Sequence, residues 1–351
     1  MMKNTTKSNI TISQALERIA KSGDKYLIVV NNQNQLIGTL VDGDLRRAII
    51  SKKNLDDTIE EIYNKNPFYL VEENFDFKNV KKILLKKKIN FAPVVDKNKK
   101  VLNSISLIDL LSDKEIINKH IDVPVVIMAG GIGSRLEPFT KILPKPLIPI
   151  NNKPVIEHII DSFLKFGIKN FFFSINYKSK ILKYYFKEYK LKFKLFFLEE
   201  KKPLGTAGSL FYLKNRIDQV FFLTNSDIIL HIDYKDLYIF HKKNKYDITL
   251  VTAAKEFQVS YGVCILNKNG SFKNIKEKPK FNFFTNTGVY VLNKSIINLI
   301  TENKKIDMDE LIRLAKLKKK KIGIFPISDH QWVDIGQWNE YQKAVNQLKN
   351  F

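Results

Sequence analysis

The chain has one cysteine, Cys264, in 351 residues. That excludes a disulfide framework and a thiolate-bound zinc site, and it suits a reducing cytoplasm. Histidine is nearly as sparse: His120, His158, His231, His241 and His330 show no metal-ligand spacing. No apolar run approaches the ~20 residues needed to cross a bilayer, and the opening MMKNTTKSNITISQ has no apolar signal core. A cytoplasmic protein with no membrane partner is expected. Arginine is the other scarcity. Six arginines stand among 59 basic side chains, against 36 acidic ones, for a formal charge of +23. Such a balance can mean nucleic-acid binding, but readers of bases and phosphates favour arginine's planar fork. The lysines are scattered, with short runs at Lys86–Lys88 and Lys318–Lys321. The excess reads as a bias of the whole chain. Anionic small substrates are expected, and no specific nucleic acid.

What is present is ample core material: apolar residues make up 44%, and the length suits two domains. The first part contains a repeat. VVNNQNQLIGTLVDGDL (29–45) aligns without a gap on VVDKNKKVLNSISLIDL (94–110), 65 residues later. Each copy reads as a β run, a polar turn, a second β run and a helix opened by Asp. A helical pattern precedes each, TISQALERIAKSG (11–23) and FDFKNVKKILLKKK (75–88), the former with Thr11 and Gln14 at capping-box spacing.

This pair resembles a tandem CBS module, a regulatory unit that often binds adenine nucleotides between its repeats. GTLVDGDLRR (38–47) is close to that family's motif. The family places a Ser or Thr three positions before an Asp that grips the ribose hydroxyls. Ser106 and Asp109 keep this in the second copy, whereas the first has Val41 before Asp44. A carboxylate can accept both hydrogen bonds of a ribose diol; equally, each aspartate can cap its own helix. The resemblance implies a regulatory nucleotide site at Asp44, Ser106 and Asp109.

Beyond a polar stretch the pattern changes. VPVVIMA (123–129), KNFFFSIN (169–176), LKFKLFFL (191–198) and DQVFFLTN (218–225) read as strands. Between and after them, KPVIEHIIDSFLKFG (153–167), SKILKYYFKEY (179–189) and YKDLYIFHKKN (234–244) read as helices. The alternation predicts an α/β domain with a mostly parallel sheet and ligands at the carboxyl ends of its strands. The expected organisation is a regulatory module over 1–113 (repeats about 8–52 and 60–113), a linker at 114–122 and a catalytic domain over 123–351. Cys264, inside GVCILN, reads as a buried strand residue, Phe171–Phe173 as core, and Trp332 and Trp338 as core or scaffold.

The first strand of that domain ends in Gly130, Gly131 and Gly133, then Arg135, with Lys145 between two prolines. Bare backbone N–H groups can approach an anion closely. A P-loop would need Lys-Ser/Thr after the glycines, and a dinucleotide fingerprint a third glycine where Leu136 stands. Neither fits.

AGGIGSRLEPFTKILPKPLIPI (129–150) is similar to the signature of sugar-1-phosphate nucleotidyltransferases, met at Gly130, Gly131, Gly133, Arg135, Leu136, Thr140, Pro144, Lys145, Pro146 and Leu147. The resemblance covers about residues 123–345. It implies a Rossmann-like α/β nucleotidyltransferase domain behind an α+β tandem CBS module. It further implies that the glycine loop cradles a nucleoside triphosphate, with Arg135 and Lys145 neutralising its phosphates. LGTAG (204–208) resembles the loop near the base, which implicates Gly205 and Gly208. TNSDII places Asp227, and WVDIGQW places Asp334, where the family holds Mg²⁺. Tyr261-Gly262, IKEKP with Glu277 and Lys278, and NTGVYV with Asn286 resemble the sugar-phosphate site.

The implied reaction joins a sugar 1-phosphate oxygen to the α-phosphorus of the triphosphate and expels pyrophosphate. A phosphate monoester's second ionisation lies near ~6, so the nucleophile is already anionic and needs no general base. That agrees with the lack of any Ser/His/Asp or Cys/His constellation. Two polyanions must instead be brought together, which oriented N–H groups, Arg135, Lys145 and a divalent cation can do. Among such enzymes the CBS pair and LGTAG look most like guanylyltransferases of hexosamine-, mannose- or heptose-type sugars. These include the glucosamine-1-phosphate enzyme of the legionaminic acid route. GTP and that sugar phosphate are the implied reactants, in a homo-oligomer. Thymidylyl-, uridylyl- and cytidylyltransferases share most of the signature, and a non-catalytic nucleotide- or sugar-phosphate-binding protein is the competing class.

Overall fold

The computed structural model describes residues 4–22, 24–72, 77–87, 89–106, 121–188 and 191–347. The chain divides into two compact units: Met1–Asn118 with Ala254–Phe284 and Ser328–His330, and Lys119–Ala253 with Thr285–Ile327 and Gln331–Phe351. Among the described residues no helix is long and apolar enough to cross a membrane.

In the first unit the repeat is built twice to one plan. Thr5–Thr6 runs parallel to Tyr26–Val30, which pairs antiparallel with Leu36–Val41. Leu70–Val71, Phe91–Val95 and Val101–Ser106 do the same. Both antiparallel pairs shift register at the equivalent step, Val29/Val30 and Val94/Val95. Equivalent residues also meet. Tyr26 stacks on Phe91 with ring centroids 3.7 Å apart, a contact worth roughly 0.5–1.5 kcal/mol beyond its burial. The Leu36 N–H donates to Lys99 O at 2.8 Å and the Val101 N–H to Asn34 O at 3.0 Å. These two bonds exchange under the 65-residue offset, so a local two-fold relates the copies.

The Thr11 capping box forms. The Gln14 N–H donates to Thr11 Oγ1 at 3.2 Å and the Thr11 N–H to Gln14 Oε1 at 3.1 Å. It opens the helix Ile12–Ser22, which buries Ile12, Ala15, Leu16 and Ile19. The counterpart helix is Phe77–Lys87. Asp109 and the expected linker as far as residue 120 lie outside the described residues.

The sheet of the second unit has seven strands: β1 (Val125–Met128), β2 (Asn170–Ile175), β3 (Lys194–Glu199), β4 (Val220–Asn225), β5 (Ile248–Gln258), β6 (Lys280–Asn293) and β7 (Ile322–Ser328). Their order is β3-β2-β1-β4-β6-β5-β7. The first four are mutually parallel, and β6 joins β4 antiparallel. Central strands read as unbroken apolar runs because both faces are covered. Val125 and Ile127 pack with Phe163, Phe171, Phe173 and Phe222 on one face, while Val126, Phe172, Phe221 and Leu223 pack on the other. The helix Val155–Leu164 contributes Val155, Ile156, Ile159, Ile160 and Phe163 to the first of these cores.

Cys264 corrects an expectation. It is exposed, because Val263–Leu266 pairs with Phe272–Lys276 in a two-stranded hairpin. Apolar alternation there marks a ribbon, not a core strand.

His241 is buried, with Nδ1 2.8 Å from Thr249 Oγ1 and Nε2 3.2 Å from Asn293 Oδ1. Burial holds its imidazole below the usual value, as it does for His158. In the unfolded chain each would protonate near pH ~6.5. Below that pH the unfolded state binds more protons than the folded one, so stability falls on acidification until the folded values are passed. The thermal midpoint is expected to drop between about pH 7.5 and about pH 5.5, and to drop less steeply in His241→Gln. Equal slopes would remove His241 from this account.

Candidate active site

Three of the four neighbouring parallel strands, β1, β3 and β4, deliver their carboxyl ends to one cavity of about 370 Å³. After β1 comes the glycine loop. The Ala129 N–H donates to Ser174 O at 2.8 Å, which fixes the strand end. Gly133 then takes φ +73°, in the left-handed region, where a Cβ would lie 3.0 Å from Thr140 and 3.2 Å from Lys145. Thr140 is buried and donates its hydroxyl to Gly133 O at 3.1 Å, which accounts for the threonine of the motif. Leu136 is fully buried and anchors the turn Ser134–Leu136 that carries the exposed Arg135. A Cβ on Gly131 would meet nothing within 4 Å, so the bare backbone there borders open space. Lys145 rides on the turn Lys145–Leu147, rooted by buried Pro146 and Leu147.

After β4 comes Asp227, which accepts a charge-assisted hydrogen bond from the Lys145 ammonium. Asp334 arrives from over a hundred residues away. Ile228–Leu230 pairs antiparallel with Trp332–Asp334, with Ile228 opposite Asp334, and the Ile335 N–H donates to Asp227 O at 3.0 Å. The Gly336 N–H donates to Asp334 Oδ1 at 2.7 Å. A Cβ on Gly336 would lie 2.9 Å from Asp334 Oδ1, 3.4 Å from Asp227 Oδ2 and 3.8 Å from an Arg135 Nη. Both carboxylates and the guanidinium therefore converge on one small space. Burial pushes the Asp334 carboxyl above its ordinary range and the charge of Asp227 adds to the rise, against the Gly336 N–H and the Lys145 and Arg135 cations.

After β3 comes Glu200, a residue that sequence reasoning missed. It is buried, lines the cavity, accepts from the Ser174 hydroxyl, and accepts at Oε2 from the Leu204 N–H at 2.9 Å. Its only sequence signal is a carboxylate just ahead of LGTAG, hidden in the charged run EEKK. Leu204, Gly205 and Thr206 form the next wall, with Gly205 at φ +78°, whereas Gly208 is buried behind it and opens the short turn Gly208–Leu213. Asn286 lies in β6, three residues beyond the last pair that β6 makes with β4. Its amide donates to Tyr290 Oη at 2.6 Å, and a Cβ on nearby Gly288 would fall 2.6 Å from Asn225 Nδ2 in the cavity wall. Trp338 acts as scaffold, donating from Nε1 to Glu137 O at 3.1 Å and packing against Phe139.

The remaining candidates sit in the first unit. Gly262 and Glu277 face each other at the base of the hairpin, where a Cβ on Gly262 would be 3.0 Å from Glu277 Oε2. Lys278, next in the chain, is exposed with φ +43°. Asp44 accepts from the Val41 N–H at 2.9 Å and pairs with Arg47, the helix-opening role. Ser106 ends the strand Val101–Ser106.

Residues 124–350 match the family model described as Nucleotidyl transferase. The chain belongs to that family. Ahead of the nucleotidyl transferase domain, residues 4–51 and 59–115 match the CBS domain model, so the α/β domain is preceded by a CBS module. Mannose-1-phosphate guanyltransferase of Yarrowia lipolytica is 34% identical over 227 residues, covering 62% of this chain and 61% of that protein. Mannose-1-phosphate guanylyltransferase 1 of Arabidopsis thaliana is 30% identical over 226 residues, 62% of each chain. The chain thus spans less than two thirds of the length of these relatives. Among solved structures, HddC from Yersinia pseudotuberculosis aligns with a TM-score of 0.51 at 27% identity, over 64% of this chain and 99% of that one. The same protein complexed with GMP-PN aligns at 26% identity with a TM-score of 0.51.

Proposed function

We propose that this nucleotidyl transferase moves GMP from GTP to a sugar 1-phosphate. A sugar-phosphate oxygen bonds to the α-phosphorus, the bond to the β-phosphate oxygen breaks, and pyrophosphate leaves. The observation that carries this reading is the convergence of Arg135, Lys145, Asp227 and Asp334 beside a loop with open backbone at Gly131. Arg135 and Lys145 offset the triphosphate's charge, and the loop N–H groups orient it. Holding both anions in line supplies several kcal/mol of the acceleration. Two facing carboxylates, one of them resisting ionisation, suit a hard divalent cation such as Mg²⁺, which typically takes one or two carboxylates plus phosphate oxygens. Among the described residues no three His, Cys, Asp or Glu cluster as a complete metal site, so substrate oxygens would complete the shell. Such a cation would stabilise charge growing on the leaving group.

The choice of GTP is supported by Glu200. Guanine presents two adjacent donors, N1–H and the 2-amino group, and a carboxylate accepts from both; each Glu200 oxygen keeps a second lone pair beyond its internal bond. Thymine and uracil offer one N–H between two carbonyls. Glu200→Gln is therefore expected to lower kcat/KM for GTP by roughly 10- to 100-fold relative to UTP or TTP. An unchanged ratio would free Glu200 of that role.

For the sugar, the CBS arrangement supports glucosamine 1-phosphate, as in the legionaminic acid route, while the named relatives support mannose 1-phosphate. Gly262, Glu277, Lys278 and Asn286 are the proposed contacts. The CBS pair is proposed to sense an adenine nucleotide through Asp44, Ser106 and Asp109 in a cytoplasmic homo-oligomer. A matrix of four triphosphates against glucosamine, mannose and heptose 1-phosphates, read by mass spectrometry with and without AMP or ATP, tests the base, the sugar and the nucleotide sensing. No pyrophosphate release from any of the four triphosphates would leave a binding protein instead.

A further inference from the structure

The wall formed by Leu204, Gly205 and Thr206 is held in place by a segment that no motif singled out. The Ile306 N–H donates to Leu204 O at 3.0 Å, and the Ala207 N–H donates to Ile306 O at 3.1 Å. The Thr206 N–H donates to Asp307 Oδ1 at 2.8 Å, and the Thr206 hydroxyl donates to the same oxygen at 3.2 Å. That hydroxyl in turn accepts from the Met308 N–H at 2.9 Å. The fit is close: a Cβ on Gly205 would lie 2.6 Å from Ile306 O and 2.7 Å from Asp307 Oδ1.

Asp307 is also the N-cap of the helix Met308–Leu317, and its own N–H donates to Glu310 Oε2 at 3.1 Å. One carboxylate therefore ties the cavity wall to the start of a helix whose Met308, Leu311 and Ala315 are buried in the core. It absorbs both donors of Thr206, and so fixes which backbone groups of 204–206 remain turned toward the cavity. A carboxylate can hold several donors at once, which an amide or hydroxyl does less strongly.

We propose that Asp307 is a positioning residue for nucleotide binding, acting through Thr206 without touching the nucleotide. This rests on the reading of the cavity as the triphosphate site. Its bland counterpart is that Asp307 merely caps a helix. Glu310 separates the two, because it supports the same cap from an exposed position and, among the described residues, its hydrogen bond goes to Asp307 and none to 204–206.

The experiment compares wild type, Asp307→Ala, Asp307→Asn and Glu310→Ala by calorimetric titration with GTP and by initial rates against GTP and mannose 1-phosphate. Asp307→Ala is expected to raise the Kd and KM for GTP roughly tenfold, with KM for mannose 1-phosphate within about twofold. Asp307→Asn, which keeps an acceptor oxygen, should recover most of the loss. Glu310→Ala should lower the thermal midpoint as Asp307→Ala does, yet leave the GTP Kd within about twofold. Equal effects of Asp307→Ala and Glu310→Ala on GTP, or none from either, would overturn the proposal while the function stands. If wild type prefers another triphosphate, the same ratios are read with that nucleotide. A wild type that binds no triphosphate overturns both.

Discussion

Asp227→Asn is expected to reduce turnover by on the order of 10³-fold while the protein stays folded. The substitution is isosteric, and Asp227 sits at a strand end rather than within a core, so packing should survive. What is lost is charge. Asp227 accepts from the Lys145 ammonium, and its carboxylate faces that of Asp334 across the space marked by Gly336. An asparagine cannot balance Lys145 or contribute a negative ligand to a divalent cation. Asp334 alone would have to do so, and burial already works against its ionisation. Circular dichroism and the thermal midpoint should stay close to wild type while pyrophosphate release collapses. Wild-type turnover in Asp227→Asn would refute the role assigned to the carboxylate pair.

The parts of this site legible in the sequence are those carried by short contiguous spacing. The glycine loop, Arg135 and Lys145 lie within sixteen residues of one another, and local turn chemistry dictates their placement. The CBS repeat was legible for a similar reason, since a fixed offset lets one copy vouch for the other. Asp227 and Asp334 could be paired only through a family resemblance. The three-residue, two-stranded ladder that joins them has no periodicity of its own. Glu200 and Asp307 were invisible because each looks like a surface carboxylate. Only the fold shows that Glu200 is buried at the end of β3, and that Asp307 reaches back a hundred residues to Thr206. Cys264 misled in the opposite direction: alternation inside GVCILN describes a strand, but says nothing about whether a second layer covers it.

Arg135→Ala is the second large effect, expected to cost ~10²–10³ in kcat, the range seen when one preorganised donor to transition-state charge is removed. Arginine is scarce in this chain, with six residues among 59 basic ones, and this one is exposed on a turn fastened below by fully buried Leu136. Its guanidinium lies beside both carboxylates at the cavity wall, as the 3.8 Å approach to a Cβ built on Gly336 shows. A group at that position meets charge that grows as two anions are pressed together, more than it meets the resting nucleotide. The loss should therefore fall on kcat, with KM for GTP changed by a smaller factor. Arg135→Lys should recover only part of it, because an ammonium keeps the charge but not the planar pair of donors. Were the whole loss to fall on KM for the sugar phosphate instead, Arg135 would belong to the other substrate.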